Sequence, residues 1–267
     1  MTPARSHEAL TVRSTPGPLA RQPVTRQDGR VSDPHAVLPL LHESSAHLTR
    51  TVDALTTDDW AAPSLLPGWS RAYVVAHLAL NAEALTRALH GAVAGDPAPM
   101  YASQDARDRD IDELAVAGHA ELRDRLLAGT TRVHDAIAAV PPEQWDASAE
   151  RVPGGPTFAL GAVAGMRWRE VEIHHADLGT AYTHADWSPA FATALIDGMV
   201  DRARGSSDAS SDGFAVHAAD LGRTWTFGAE TPVVTGTASS LGWWLTGRGE
   251  GHDLTTDSGV LPQIGAW

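Results

Sequence analysis

Apolar positions recur at helical spacing through most of the chain and alternate only near its end. Asp33-Pro34, a cap residue followed by proline at the first helical position, predicts a helix start. Val37, Leu38, Leu41, Leu48, Val52 and Leu55 then form its stripe. A loop over 56–69, containing Pro63 and Pro67-Gly68, leads to Ser70, which can cap a second helix striped by Val74, Val75, Leu78, Leu85 and Leu89. After a Gly/Pro loop at 92–102, one long third helix is predicted from Asp105 to Ala139, carried by Ile111, Leu114, Leu122, Leu126, Val133 and Ile137 and stopped by Pro141-Pro142. A Pro/Gly-rich connection follows, then a fourth helix over 158–182 and a shorter one from Ser188-Pro189 to Arg204. Beyond a break at 205–212, the segments 214–218, 223–227 and 232–235 read as strands, and 238–246 as a helix ending at Gly247. The pattern predicts an α+β chain: an up-down four-helix bundle over 33–204, then a small α+β domain over 205–267. Residues 1–32, rich in Arg, Pro, Thr and Ser without an apolar stripe, are expected to be a flexible tail.

Composition narrows the chemistry. The chain has 267 residues, no Cys and no Lys, so its basic side chains are all Arg. A Cys nucleophile, a thiolate metal ligand, a Schiff-base Lys and a P-loop Lys are therefore excluded. The net charge of −13 argues against polyanionic partners, nucleic acid or anionic membrane, which need a positive surface. No apolar run reaches the roughly 20 residues of a membrane span, and no signal-peptide core is present, so a cytoplasmic location is expected. The all-Arg, Ala- and Gly-rich composition is that of a high-GC genome.

Among the 13 His, one segment stands apart. Within 168–179, Glu170, His174 and Asp177 fall at i, i+4 and i+7 and share a helix face. A carboxylate and an imidazole one turn apart can converge on a divalent metal, although the same spacing also describes an ordinary intrahelical pair. His77 lies inside the apolar run 74–79 of the second helix, as either a satisfied core residue or a ligand facing the bundle interior.

The string Leu66-Pro-Gly-Trp-Ser-Arg-Ala-Tyr-Val-Val-Ala-His-Leu-Ala79 resembles the first metal-ligand motif of mycothiol-dependent maleylpyruvate isomerases. Arg167-Trp-Arg-Glu-Val-Glu-Ile-His-His-Ala-Asp-Leu178 is similar to their second motif, and Trp243–Arg248 with Leu261–Trp267 to the end of their second domain. The resemblance covers residues 34–267 in order and places the N-terminal part among the wider DinB-like four-helix bundles. It implies zinc held by His77, Glu170 and His174, and a role for Arg248, whose planar fork suits a substrate carboxylate. It also implies mycothiol, the low-molecular-weight thiol of actinobacteria, which supplies the sulfur this chain lacks. In that reading a thiolate adds to the cis double bond of maleylpyruvate, the resulting single bond rotates, and elimination leaves fumarylpyruvate. The partners expected are thus a small electrophilic carboxylate and a small thiol.

The fold does not fix the reaction. A mycothiol S-transferase that stops at the adduct is the close alternative. A non-catalytic DinB-like binding protein is a further one, against which the full ligand set argues. Hydrolysis by zinc-bound water ranks low, because Glu172 lies off the ligand face. Asp177 is either a partner fixing an imidazole or a surface residue, His175 is read as structural, and Arg167 and Arg169 as solvated or ion-paired.

Overall fold

The computed structural model describes residues 34–205 and 213–264. The expected tail, the Asp33 cap, most of the 205–212 break and the last three residues lie outside them. Helix α1 (Pro34–Asp53) is followed by the short α2 (Thr57–Ala61), whose Thr56 and Asp59 close a capping box inside the stretch expected to be a loop. The Pro67-Gly68 turn, with Gly68 at φ +79°, then feeds α3 (Arg71–Val93), capped by Ser70 as expected.

The long third helix of the sequence reading is two helices, α4 (Gln104–Ala115) and α5 (His119–Ala138). Gly118 is extended at φ −64°, ψ 143° and starts α5 without a side-chain cap. The fourth helix is also shorter than expected. Thr157–Ala159 is strand β2, paired antiparallel with β1 (Ser148–Glu150), and a 3₁₀ turn separates it from α6 (Val163–Asp177).

Helices α1, α5, α3 and α6 each contact two of the others and close a four-membered ring. Its core runs through Leu41, Leu48, Val74, Leu78, Leu85, Leu122, Leu126, Val133, Val171 and Ile173. Helix α4 lies against α3 outside that ring. Two ties set the register between α3 and α6. Arg71 donates from Nε to the Leu178 carbonyl (2.8 Å) and from Nη2 to the Gly179 carbonyl (2.9 Å), covering the C-terminus of α6. The Leu65 N–H donates to the Asp177 carbonyl at 2.8 Å.

A second core gathers α7 (Pro189–Gly205), strands β3 (Phe214–Ala218), β4 (Arg223–Gly236) and β5 (Thr255–Thr256), and α8 (Ala238–Leu245) around Ile196, Val216, Trp225, Val234, Leu241 and Trp244. The two strands expected at 223–227 and 232–235 are arms of the single β4. The first runs antiparallel to β3, pairing Ala218 with Arg223 and Val216 with Trp225. The second runs parallel on its other side, pairing Ala215 with Val233 and Ala218 with Gly236. Gly228 at φ +83° allows the chain to turn between them. Helix α8 ends at the Gly247 position expected, with φ +73°.

Candidate metal centre

Three side chains meet where α3 crosses α6. His77 Nε2 is 2.8 Å from Glu170 Oε2, and His174 Nε2 is 3.4 Å from the same oxygen. One donor atom from each residue lies within 4.8 Å of the other two. Helical periodicity places Glu170 and His174 one turn apart on α6, and the Arg71 and Leu65 ties bring His77 opposite them. All three sequence candidates for a metal are thus brought together, in buried or half-buried positions.

The fourth candidate, Asp177, is fully buried and stands behind His174, with Oδ2 2.8 Å from His174 Nδ1. An imidazole that donates its Nδ1–H to a carboxylate keeps the Nε2 lone pair for a metal. Arg248 grips the same carboxylate, from Nε to Oδ1 and Nη2 to Oδ2, both at 2.8 Å. The surface alternative for Asp177 is thereby replaced by an interior one. Arg248 is brought to the site, engaged through Asp177.

The groups titrate unequally. Burial pushes His77 down to about 4, against the opposing pull of Glu170. Burial also opposes charge on His174, but the hydrogen bonds to Asp177 and Glu170 outweigh it and raise its pKa. For Glu170 burial favours the neutral acid, yet the two imidazoles hold it well below the usual carboxylate range. The centre therefore keeps a carboxylate between two imidazoles, a donor set matched to zinc, whose catalytic sites use three such ligands and an open position.

Several site residues carried no signal in the sequence reading. Trp69, delivered by the Pro67-Gly68 turn, stacks over His174 (centroids 6.3 Å) and meets His77 edge-on (5.7 Å). Its place in the LPGWS string was the available hint. Arg107 of α4 donates from Nη2 to His77 Nδ1 at 3.1 Å. Tyr101 lies between Arg107 (5.8 Å) and Arg151 (5.7 Å). The loop carrying Tyr101 is held by Met100 N–H to the Glu150 carbonyl (2.9 Å) and Tyr101 N–H to the Arg151 carbonyl (3.0 Å).

Of the remaining readings, that of Arg167 changes while those of His175 and Glu172 stand. Arg167 is fully enclosed and donates to the Leu78 carbonyl (2.9 Å) and Asn81 Oδ1 (2.8 Å), so it is neither solvated nor ion-paired. His175, read as structural, is 2.7 Å from Thr51 Oγ1 and lies flat on Tyr182 at 3.6 Å. Glu172 points away from the donors into hydrogen bonds from Ser44 and Tyr182, so it supplies no general base. A cavity of about 510 Å³ lined by His47, Arg50, Arg71, His175 and Tyr182 includes none of the three donors. No helix of the described residues is long and apolar enough to cross a membrane.

A four-helix ring with an interior His–Glu–His cluster, followed by a small α/β layer, defines the class: a helical-bundle protein with a convergent donor set that could hold a metal ion. The family model described as the mycothiol maleylpyruvate isomerase N-terminal domain matches residues 41–179, and the chain belongs to that family. The fold is similar to the crystal structure of the mycothiol-dependent maleylpyruvate isomerase and to that of its histidine-to-alanine mutant. Each has a TM-score of 0.78 and 25% identity, covering 88% of this chain and 97% of the other. Two uncharacterized proteins of Mycobacterium tuberculosis, from strains CDC 1551 / Oshkosh and ATCC 25618 / H37Rv, are each 29% identical over 160 residues. That match spans 57% of this chain and 58% of those relatives.

Proposed function

We propose that this chain is a zinc- and mycothiol-dependent cis–trans isomerase acting on maleylpyruvate or a close relative. The observation that carries the reading is the convergence of His77, Glu170 and His174 from two helices on one point, in a chain of the mycothiol maleylpyruvate isomerase family. These three residues would hold the metal. When bound, zinc would keep the thiol's sulfur deprotonated, the nucleophile that isomerisation by addition, bond rotation and elimination requires.

The chain's own residues supply the rest. Asp177 holds the proton on His174 Nδ1 and so presents Nε2 to the centre. Arg248 fixes Asp177 through a bidentate pair, which makes it a positioning residue from the C-terminal layer. Trp69 covers one side of the two imidazoles and excludes water from it. In this reading 33–204 is the metal-binding bundle and 205–267 the small domain that delivers Arg248. The enzyme works in the cytoplasm, where small thiols stay reduced.

The engagement of Arg248 with Asp177 favours keeping one second reading, a mycothiol S-transferase, which needs no substrate carboxylate. One assay separates the two. Zinc-loaded protein with catalytic mycothiol and maleylpyruvate is followed by double-bond absorbance. Turnover that returns the thiol is expected. No turnover, together with stoichiometric thiol consumption on other electrophiles, would establish the transferase.

A further inference from the structure

Arg167 has no part in the function proposed above, yet it is the largest side chain fully enclosed among the described residues. Its Nη1 makes two bonds into α3, to the Leu78 carbonyl (2.9 Å) and to Asn81 Oδ1 (2.8 Å). Its Nε and Nη2 are buried with no hydrogen-bond partner among the described residues. Arg71 pairs with Asp59 and Arg248 with Asp177, but Arg167 bonds no carboxylate among the described residues. Burial pushes its pKa down to about 10, which leaves the guanidinium charged at neutral pH. A buried cation without a paired anion works against folding, and an apolar side chain of similar length would avoid that cost.

Its position shows what that cost accompanies. Arg167, Glu170 and His174 stand at i, i+3 and i+7 on one face of α6, and His77 and Asn81 at i and i+4 on one face of α3. The two helices run antiparallel, since Arg71 meets Leu178 and Gly179, His77 meets Glu170, and Asn81 meets Arg167. The ties between them form three rungs. Arg71 on the Leu178 and Gly179 carbonyls is one end rung, and Arg167 on Leu78 and Asn81 is the other. The middle rung is His77 opposite Glu170 and His174. Each end rung finishes on a main-chain carbonyl of the facing segment, so it fixes one backbone against the other and not merely two side chains. Leu78, whose carbonyl Arg167 holds, directly follows His77. A planar guanidinium locked by packing keeps that spacing better than a flexible apolar chain.

We infer that Arg167 is a positioning residue of the centre, a buried clamp that sets the gap across which His77 faces Glu170 and His174, and that it does so at the expense of fold stability. The inference rests on the metal reading above. It has a consequence that a purely structural residue would not share: its loss relaxes the centre without weakening the fold.

The test compares wild type with Arg167→Met, which keeps the reach and removes charge and donors, and with Arg167→Lys, which keeps the charge. Zinc and cadmium affinities are read by competition with a chromophoric chelator, and stability by urea unfolding of the metal-free proteins. Arg167→Met is expected to weaken zinc about 10-fold, with Arg167→Lys in between. Removing a nearby positive charge would by itself tighten a dication, so weakening carries the sign of lost positioning and not of lost charge. The larger cadmium ion should suffer less, so the zinc-to-cadmium affinity ratio is expected to fall about 3- to 10-fold. The urea midpoint of Arg167→Met is expected to be unchanged or higher. A lower midpoint, or a variant that does not fold, would overturn the inference, because Arg167 would then support the fold itself. Zinc affinity equal to wild type, or zinc and cadmium weakened alike, would also overturn it while leaving the metal reading standing. Wild-type protein that takes up no zinc would overturn the metal reading, and the clamp with it.

Discussion

Asp177 answers to two partners at once, His174 Nδ1 on its own helix and the Arg248 fork from the C-terminal layer. Replacing it with Asn keeps the shape and removes the charge. A buried cation is left facing an amide, at a cost of about 3 kcal/mol, and the His174 tautomer is no longer fixed. Asp177→Asn is therefore expected to weaken zinc about 10- to 100-fold; chelator competition and urea unfolding read the two effects, and unchanged zinc affinity would remove Asp177 from the centre. A different histidine gives a pH prediction. Burial, and then the His42 ring and Arg167, push His134 down to about 4 from 6.5, and its Nε2 lies 3.2 Å from Ser45 Oγ. Between those values the unfolded chain holds the extra proton, so this contribution to stability is complete above pH 6.5 and lost as pH falls toward 4. His134→Gln should lose less stability than wild type between pH 7.5 and 4.5 in urea midpoints, and parallel losses would exclude His134 as the source. At this scale apolar or periodic context set His77, Glu170 and His174 apart in the sequence, while their joint role as ligands was implied only by the family resemblance. Arg107 was not readable, since one Arg among the charged residues of 104–110 differs from its neighbours only by what it touches.

Helix α5 reaches α3 at Gly129, where a Cβ would lie 3.3 Å from both the Ala79 carbonyl oxygen and Ala82 Cβ. The two backbones approach closely there, two residues along α3 from His77. Gly129→Val would add two branches to an already tight contact and push α3 from α5, at a cost of about 1–3 kcal/mol. The expected outcome is a lowered urea midpoint together with weaker zinc binding. A stable variant with intact zinc affinity would mean that α3 is positioned by α6 alone. The same scale shows where periodicity stops being informative. Ile111 and Leu114 of α4 lead through Ala115-Val116-Ala117 to Leu122 and Leu126 of α5 without a proline, so only Gly118 marks the break. The β1–β2 hairpin is three residues per strand, too short to express a two-residue period. Its outer edge nevertheless holds Met100 and Tyr101, and thereby the approach to α4 and Arg107. The α3 cap and the ends of α7 and α8 were legible because Ser, Pro and Gly act locally, without help from distant packing.

Across the molecule, the centre joins segments that the chain keeps far apart: His77 on α3, Glu170 and His174 on α6, and through Asp177 the Arg248 that follows α8. A ligand that binds only this folded arrangement stabilises all of it by mass action. Zinc at 100 times its dissociation constant contributes about 2.7 kcal/mol, which for a domain of this size raises the melting temperature by about 5–10 °C. His77→Ala should abolish that rise. Arg248→Ala should only reduce it, because the three donors remain while Asp177 loses the partner that orients it toward His174. Melting curves followed by circular dichroism, with and without zinc and with a chelator control, separate the two variants. A rise that survives His77→Ala would place the stabilising ion elsewhere. A full rise in Arg248→Ala would mean that the C-terminal layer supports the centre by packing alone, through contacts such as Gly242 against Leu195 and Trp187.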